Sequence, residues 1–487
     1  MAFSAGLNLT DLNDYIAPSQ TCIKPVEIPK AKQGGQAITV DGGGDYYEVG
    51  LDGTQTKLES ASISLNDCLA CSGCITSAES LLITAQSHRE LAQRLAANAE
   101  AHAAGRPQDA ALVVVSVAPQ AYAALATRHG LTVTQTARRV TAALKDLGVE
   151  LVFDTGFARD LSLLRIAREF VARRTRNAGP LPLLASACPG WVCYAEKTHD
   201  YALPYVSTTR SPQQVTGALV KTYLTPRSPS EVYHVCVMPC YDKKLEASRE
   251  DFRLPGTEVR EVDCVIATHE LELFLADHGR ADLRQAPEVP LDQPLSKLDP
   301  ELGLARAAGT SSGGYLEYIM AHAARELFHI PLDAAAVERG EGGIQIRTVR
   351  NADFREVTLI LPDGTVGLRF AAAYGFRNIQ TLVRKLKLGR CSYDFVEVMA
   401  CPSGCINGGG QPKPADMSAG PKAWIEACET SYRSLPIQAP VDNTALLAVA
   451  EEWLGNPDVT APGADRYLAT QYHALPKEPT AATVVGW

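Results

Sequence analysis

The middle of the chain alternates short apolar runs with longer segments of helical periodicity. The runs are strand-sized and cover residues 111–118, 151–153, 181–186, 232–238 and 262–267. Between them, residues 134–147, 161–174 and 212–224 place apolar side chains on one face of a helix. Strands that are apolar on both faces and alternate with helices are typical of parallel sheets covered by helices. The pattern therefore predicts an α/β fold.

Beyond residue 300 the strand pattern changes to alternating polarity. The glycine pair at 313–314 precedes a helix predicted to run to Phe328, with residues 310–312 as candidates to cap it. Alternating runs follow at 343–349, 355–361 and 365–370, and the last two are joined by the turn Pro362-Asp363-Gly364. These runs predict an antiparallel addition to the fold. A further strand, over 393–399, leads directly into a cysteine loop.

The two ends of the chain differ in amino-acid composition from its middle. The first 60 residues are rich in Pro, Gly and Asp and predict loops and short strands, followed by a helix over 87–104. A linker around Gly105-Arg106-Pro107 marks a boundary. We therefore expect an amino-terminal domain over 1–104, a larger domain over 108–454, and a Pro- and Ala-rich tail over 455–487.

Composition narrows the classes of function. The 487 residues include 46 basic and 55 acidic side chains, a net charge of −9 that argues against nucleic acid as a partner. No apolar run approaches the roughly 18 residues that span a bilayer. The amino terminus lacks the features of a secretory signal, so we expect a cytoplasmic protein with reduced thiols. The 13 cysteines are an odd number, and metal ligation becomes their leading use.

One group of cysteines lies in the amino-terminal region. Cys68, Cys71 and Cys74 are each separated by two residues, a spacing that wraps a tight loop around an iron-sulfur cluster. Simple ferredoxins place a fourth cysteine shortly after such a run, but here that position is empty. Cys22 is the remaining cysteine of this region and the candidate fourth ligand. A zinc site built from the same four thiolates is the alternative.

A second group of cysteines is dispersed, and each member follows a predicted strand. They are Cys188, Cys240, Cys401 and Cys405. The carboxyl ends of strands meet at the ligand crevice of open α/β sheets, so we expect the four thiols to converge. Three of them lie beside proline, which fixes a turn, and the glycines at 408–410 allow the backbone to approach a cluster closely. Together these features predict a second metal-cluster site.

The strand-end motifs carry a family resemblance. CPxW, MPCxxKxxE and ExMACPxGCxxGGGQP resemble the active-site signature of the iron-only hydrogenases. The amino-terminal DLNDYIAPSQTCIKP and the Cys68 loop more narrowly resemble the eukaryotic hydrogenase-like proteins of cytosolic iron-sulfur assembly, also called nuclear prelamin A recognition factor-like proteins. The resemblance covers about residues 9–450.

This resemblance implies a fold and two cofactors. The fold would be two-lobed and hydrogenase-like, with parallel sheets flanked by helices and a small loop-rich, ferredoxin-like amino-terminal cluster domain. The ligands would form two sets, one for each 4Fe-4S cluster: Cys22, Cys68, Cys71 and Cys74, then Cys188, Cys240, Cys401 and Cys405. The remaining cysteines, at 193, 236, 264, 391 and 428, fit better as small buried hydrophobes.

One position departs from the hydrogenase pattern. In hydrogenases the residue before the first ligand of the second set is a cysteine that moves protons, and this chain has Ala187. Alanine cannot relay a proton, so we expect no enzymatic activity. The alternative is an iron-only hydrogenase that catalyses reversible hydrogen oxidation, and Met238 and Lys243 favour it because hydrogenases use them to hold a two-iron subsite.

The resemblance also implies partners and location. Family members link early cytosolic iron-sulfur scaffold proteins to a late targeting complex, in the cytoplasm and for nuclear clients. Trp487 ends the chain, and a terminal aromatic residue with its carboxylate suits capture by a partner. In this family such tails resemble signals for the targeting complex. The alternative is a tail that packs on its own domain.

Overall fold

The computed structural model describes residues 37–40, 46–49, 55–57, 83–224, 227–292, 298–299, 303–414 and 420–474. The chain divides into two compact units, residues 1–10 with 18–81 and residues 11–17 with 82–487. The smaller unit contains a three-stranded antiparallel sheet in which β2 (Tyr46–Val49) lies between β1 (Ala37–Val40) and β3 (Gln55–Lys57). These short strands agree with the prediction for this region.

The framework of the larger unit consists of two sheets. Its strands are β4 (Leu112–Val117), β5 (Leu151–Asp154), β6 (Leu183–Ala185), β7 (Val232–Met238), β8 (Cys264–Ala267), β9 (Leu298–Asp299), β10 (Gly303–Leu304), β11 (Ile344–Thr348), β12 (Phe354–Ile360), β13 (Val366–Tyr374) and β14 (Phe395–Met399). A four-stranded sheet has the order β5-β4-β7-β8, and a five-stranded sheet has the order β11-β12-β13-β14-β6. Strands β9 and β10 form a separate short pair.

The two sheets differ in strand direction as the polarity pattern predicts. Every pairing in the four-stranded sheet is parallel, and its central strands β4 and β7 are buried almost throughout. In the five-stranded sheet, β13, β14 and β6 pair in parallel, whereas β11, β12 and β13 pair antiparallel. The antiparallel strands are the alternating runs, which confirms the expected addition.

Helices cover both sheets. They are α1 (His88–Ala103), α2 (Pro119–His129), α3 (Val133–Asp146), α4 (Gly156–Arg176), α5 (Pro189–Thr198), α6 (Pro212–Leu219), α7 (Asp242–Ala247), α8 (Thr268–Asp277), α9 (Tyr315–Phe328), α10 (Ala334–Arg339), α11 (Phe376–Lys387), α12 (Gly420–Arg433), α13 (Thr444–Leu454) and α14 (Asp465–Leu468). Helix α6 continues into a turn of π-helix over Val220–Leu224. The predicted α/β fold, with parallel sheets flanked by helices, is confirmed.

Each sheet has its own hydrophobic core, which makes the larger unit two-lobed. Around the five-stranded sheet, the ring of Phe170 lies 5.1 Å from that of Phe370 and 6.0 Å from that of Phe395, both edge-on. Around the four-stranded sheet, side chains such as Val115 and Val235 form the second core with residues of α2, α3 and α8. Aromatic and β-branched side chains at these positions fill a sheet-helix interface well.

Helix α1 belongs to the larger unit. Its Leu91 and Leu95 are buried in the core of the four-stranded sheet, and Asn98 forms hydrogen bonds with both backbone groups of Ala111. The division between units therefore falls at residues 81 and 82, whereas the sequence interpretation puts the domain boundary after this helix. The Gly-Pro linker at 105–107 is a tight turn into β4 rather than a break in packing.

The start of helix α9 differs from the prediction. Gly314 precedes the helix in the left-handed conformation, and no side chain of residues 310–312 caps it. Instead the carboxylate of Glu397, on β14, accepts a hydrogen bond of 2.9 Å from the backbone amide of Leu316. An acid from a neighbouring strand thus satisfies a free amide at the positive end of the helix. No helix in the described part of the chain is long and apolar enough to span a membrane.

Candidate metal centre

Three strand ends deliver the cysteines of the second predicted set. Cys188 follows β6 and immediately precedes α5, whose first residue is Pro189. Cys240 lies between β7 and α7. Cys401 and Cys405 follow β14, the strand next to β6 in the five-stranded sheet. The site therefore combines carboxyl ends from both lobes rather than from one open sheet.

The four thiols lie close enough to influence one another's ionisation. Burial, followed by the thiols of Cys188, Cys240 and Cys405, raises the pKa of Cys401 well above its usual value. Burial followed by Cys188 raises the pKa of Cys405 to about 12. A cation here would offset the repulsion among thiolates, so metal binding and loss of the thiol protons are coupled.

A single metal ion would require the sulfur atoms to lie close together. Sulfur ligands of one tetrahedral zinc ion lie about 3.8 Å apart, given zinc-sulfur bonds of about 2.3 Å. In the part of the chain that the structure describes, no three Cys, His, Asp or Glu side chains form a group that could hold one metal ion. The thiols of Cys188, Cys240 and Cys405 nevertheless act on the pKa of Cys401, so the four cysteines are neighbours.

A glycine loop joins the two sheets beside the cysteines. A Cβ atom on Gly408 would lie 2.3 Å from the carbonyl oxygen of Pro239, and one on Gly410 would lie 2.7 Å from the Cβ of Ala267. The amide of Gly410 donates a hydrogen bond of 2.8 Å to the same Pro239 carbonyl. A side chain at either position would push the loops apart, which explains two of the three glycines in the run.

Two neighbours contact the cysteines directly. The amide of Ala400 donates to the Sγ of Cys188 over 3.4 Å, and the amide of Cys405 donates to the Oγ of Ser312 over 3.2 Å. A hydrogen bond from Ser312 to the thiol of Cys405 also opposes the rise in its pKa. Hydrogen bonds to ligand sulfur atoms tune the potential of iron-sulfur clusters. The sequence interpretation treated Ser312 only as a helix cap, and no local signal reveals this role.

Two charged side chains flank the cysteines. Burial raises the pKa of Asp242 to about 6, against the opposing effect of Lys243. Lys243 lies 2.6 Å from the carboxylate of Glu246 and 3.0 Å from the hydroxyl of Ser211. Although it is paired with Glu246, the charge of Lys243 opposes the rise in the pKa of the Cys188, Cys240 and Cys405 thiols. The sequence interpretation missed Asp242, although an acid two residues after a candidate ligand was visible in the motif.

Ala187 separates two cavities. A cavity of about 30 Å³, the Cys188 cavity, is lined by Cys188 and Tyr472 among others. A cavity of about 50 Å³, the Cys405 cavity, is lined by Cys405 and Lys243 among others. Ala187 lines both. A larger side chain at this position would therefore reduce the space in both cavities.

The first predicted ligand set is outside the described residues. Cys22, Cys68, Cys71 and Cys74 are among the positions that the structure leaves undescribed, and Trp487 is another. Their roles stay predictions. The cysteines interpreted as buried hydrophobes include Cys236, Cys264 and Cys428, all of them buried, while Cys193 and Cys391 are half-buried.

Comparison with known proteins agrees with this arrangement. Residues 111–409 match the family described as "Iron only hydrogenase large subunit, C-terminal domain". Among solved structures, a variant of apo [FeFe]-hydrogenase HydA1 from Chlamydomonas reinhardtii superposes with a TM-score of 0.66 and 29% identity, over 80% of this chain and 99% of the hydrogenase.

Curated relatives extend the similarity to the full length. "Cytosolic iron-sulfur assembly component 3" of Mus musculus is 49% identical over 100% of this chain and 99% of its own. "Cytosolic Fe-S cluster assembly factor narfl" of Xenopus tropicalis is 47% identical over 99% of each chain. Both similarities include the amino-terminal region that the hydrogenase family match omits. The chain belongs to the iron-only hydrogenase-like family of cytosolic iron-sulfur assembly factors.

Proposed function

We propose that this protein is a component of the cytosolic iron-sulfur protein assembly machinery and binds two 4Fe-4S clusters. It links early scaffold proteins to the late targeting complex, which delivers clusters to cytosolic and nuclear apoproteins. The names of its full-length relatives support the pathway. The observation that carries the proposal is the convergence of four thiols between the lobes beside an alanine that cannot relay protons.

The second cluster would be held by Cys188, Cys240, Cys401 and Cys405. A 4Fe-4S cluster bound there would supply one-electron redox chemistry and a transferable metal group. The protein contributes a largely buried, fixed site: Cys188 and Cys401 are 8% and 7% exposed, and the glycine loop holds the two lobes together beside them. Such burial favours retention of this cluster.

The first cluster would be held by Cys22, Cys68, Cys71 and Cys74. The support for it is the spacing of three of these cysteines and the full-length similarity to the assembly factors. We assign it the more exposed and exchangeable role, because the sequence predicts a loop-rich segment there. The protein is then a carrier with one exchangeable and one retained cluster.

The protein is proposed to act without enzymatic turnover. Proton delivery to a buried metal site needs a group that binds and releases a proton, and Ala187 has none. The hydrogenase alternative is favoured by one observation. The Cys405 cavity keeps Met238, Lys243 and about 50 Å³ of space beside Cys405, on the side where hydrogenases carry a two-iron subsite.

Metal analysis and a hydrogen assay test the proposal. The full chain, reconstituted anaerobically, is expected to contain about eight irons and about eight sulfides and no stoichiometric zinc. It should neither evolve nor take up hydrogen above the buffer control. Hydrogen turnover would favour the hydrogenase alternative, and zinc in place of iron would contradict both functions.

Partner capture by the end of the chain needs its own test. Deletion of Trp487 should abolish recovery of the purified late targeting complex in a pull-down while leaving the iron content unchanged. Unchanged recovery would show that the tail is not the contact. A Trp487→Phe variant keeps a terminal aromatic residue and serves as the matched control, for which recovery should persist.

A further inference from the structure

The last described segment of the chain lies across the Cys188 cavity. Residues 469–473, here called the strap, pair with the segment at 207–209: Ala469 forms a β-bridge with Thr209, and the Thr470 amide donates to the Thr208 carbonyl over 2.7 Å. The hydroxyl of Tyr472 donates to the Ser207 carbonyl over 2.6 Å. Thr470 and Tyr472 both line the Cys188 cavity.

The end of the strap is fastened by charged groups. The amide of His473 donates to Glu196 over 2.9 Å, and its ring lies 2.9 Å from Asp251. The carboxylate of Glu196 in turn accepts hydrogen bonds from both Nη1 and Nη2 of Arg249, over 2.8 and 2.7 Å. The side chain of His473 is 53% exposed, so its contact with Asp251 contributes modestly, and we expect the strap to open at a smaller cost than the unfolding of a lobe.

The cavity beneath the strap contains the features of a small binding site. Thr209 is 4% exposed, lines the cavity, and its hydroxyl oxygen has no hydrogen-bond partner among the described residues. Cys193 lines the cavity together with Cys188, and the charge of Arg249 interacts with its thiol. A volume of about 30 Å³ holds about two waters or the sulfur end of a thiol.

The chemistry of the walls selects the ligand. A free hydroxyl offers a hydrogen bond to one polar atom. Arg249 is already paired with Glu196 and Asp251, and Glu246 also lines the cavity, so the site favours an uncharged group. The apolar walls, which include Ala187 and Val192, suit a soft and weakly hydrated atom. A thiol meets all three conditions.

We propose that the Cys188 cavity is a binding site for an incoming thiol and that the strap covers it. The sulfur of a small thiol or of a partner's cysteine would enter between Tyr472 and Thr209 and stop against Cys188. Cys188 is thus the one member of its ligand set that an exchange partner reaches from this side. A role of this site in cluster exchange rests on the proposed function, whereas the binding of a thiol in the cavity does not.

Thiol-disulfide exchange on the metal-free full chain tests the site. The probe is 2-hydroxyethyl disulfide: a cysteine thiolate attacks it, a mixed disulfide forms and one 2-mercaptoethanol leaves, so that no further oxidant is needed. Mass spectrometry then locates the modified cysteines. In a Tyr472→Ala/His473→Ala variant, called the strap variant, the probe should modify Cys188 at least about tenfold faster than in the wild type, because the strap is loosened.

Two controls separate the site from general loosening. Arg168→Ala removes an ion pair with Asp458 that fastens the same terminal segment away from the cavity, and it should leave the Cys188 rate unchanged. Cys236, fully buried in β7, should stay unmodified in all variants. An unchanged Cys188 rate in the strap variant, or an equal rise at Cys236, would overturn the proposal.

A third variant tests the hydroxyl without disturbing the strap. Thr209→Val keeps the shape of the side chain and removes the free hydroxyl, and it should slow Cys188 modification severalfold in the strap-loosened background. No change would contradict a ligand bound through Thr209. The symmetrical disulfide of a short peptide with one cysteine distinguishes the sources of the thiol. If the peptide probe reacts with Cys188 in the strap variant but not in the wild type, the site is assigned to a partner's cysteine. If only 2-hydroxyethyl disulfide reacts with Cys188, the site is assigned to free thiols.

Cluster loading distinguishes failure of this proposal from failure of the proposed function. In the reconstituted protein of the strap variant, a ligand role for Cys188 predicts that iron and sulfide protect Cys188 and leave Cys193 reactive. If loading protects neither cysteine while the strap variant still accelerates the metal-free reaction, the site stands and the cluster assignment fails.

Discussion

The two lobes contribute unequally to the candidate metal centre. The five-stranded sheet supplies Cys188, Cys401 and Cys405, whereas the four-stranded sheet supplies Cys240 alone. The larger share comes from the lobe whose strands β14 and β6 are neighbours, so that their loops emerge side by side. The position of Cys240 relative to the other three cysteines depends on how the two lobes pack against each other. The candidate metal centre therefore forms where the two lobes meet. Its geometry depends on the contacts that join the lobes as much as on the cysteines themselves.

The largest effect is expected from a buried ion pair beside the four-stranded sheet. Arg210 and Glu261 form an ion pair with side chains 6% and 0% exposed, and burial raises the pKa of Glu261 to about 7 even with Arg210 present. Arg210→Met would leave the carboxylate buried without its partner, at a cost of about 3–5 kcal/mol in the free energy of unfolding. Urea unfolding followed by fluorescence measures the change.

The matched control is an exposed pair on the other lobe. Arg347→Met removes the contact of Arg347 with Glu356, in which Arg347 is 69% exposed, and should cost less than about 1 kcal/mol. Equal midpoints for the two variants would contradict the view that the four-stranded lobe depends on its buried charges.

A smaller effect is expected at the junction itself. In Gly408→Ala the added methyl group would meet the backbone oxygen of Pro239, which has no freedom to rotate away, so we expect a loss of about 2 kcal/mol. The variant should also lower the iron content, because the loop holds the lobes in register. Gly463→Ala, where the nearest atom lies 3.7 Å from the added Cβ, should change neither. A stable Gly408→Ala protein with full iron content would contradict the role of the loop.

A separate effect, on the pH dependence of stability, is expected in the five-stranded lobe. Burial, followed by the charge of Glu317, raises the pKa of Glu397 to about 7, while Leu316, Tyr374 and Arg355 oppose the rise. A carboxyl whose pKa is raised by folding stabilises the protein below its unfolded value, near about 4.3, and this contribution is lost as the pH rises towards 7.

Glu397→Gln should therefore flatten the fall in unfolding free energy between about pH 4.5 and pH 7. The measurement is a series of urea unfolding curves across that range, with wild type and variant compared at each pH. Glu341→Gln, which changes an exposed carboxyl that pairs with Arg339, is the control and should keep the slope of the wild type. Parallel curves for Glu397→Gln and wild type would contradict the buried, proton-binding state of Glu397.

Much of the fold and the convergence of four cysteines could be predicted because local patterns determine them. The runs that became β4, β7 and β14 are apolar for almost their whole length, and Cys188, Cys240, Cys401 and Cys405 each follow such a run or its neighbour. Chain order and the convergence of strand ends then suffice to bring the cysteines together. The family resemblance added the chemistry that spacing alone left open between iron and zinc.

The contacts that could not be predicted are those between distant segments. Glu397 accepts the amide of Leu316 across 81 residues of chain, and Ser312 contacts Cys405 across 93 residues. In the pairing of the strap with residues 207–209, Tyr472 reaches a carbonyl 265 residues earlier, and neither segment has a composition that suggests it. Such contacts depend on how elements pack after they form, which no periodicity in the chain encodes.

The iron and sulfide contents of two single-cysteine variants test the central claim most directly. Cys405→Ala and Cys22→Ala should each lower the content of the anaerobically reconstituted full chain from about eight irons to about four, with sulfide falling in parallel. Retention of the wild-type iron content by Cys405→Ala, in a protein that unfolds at the wild-type urea concentration, would contradict a cluster held between the lobes.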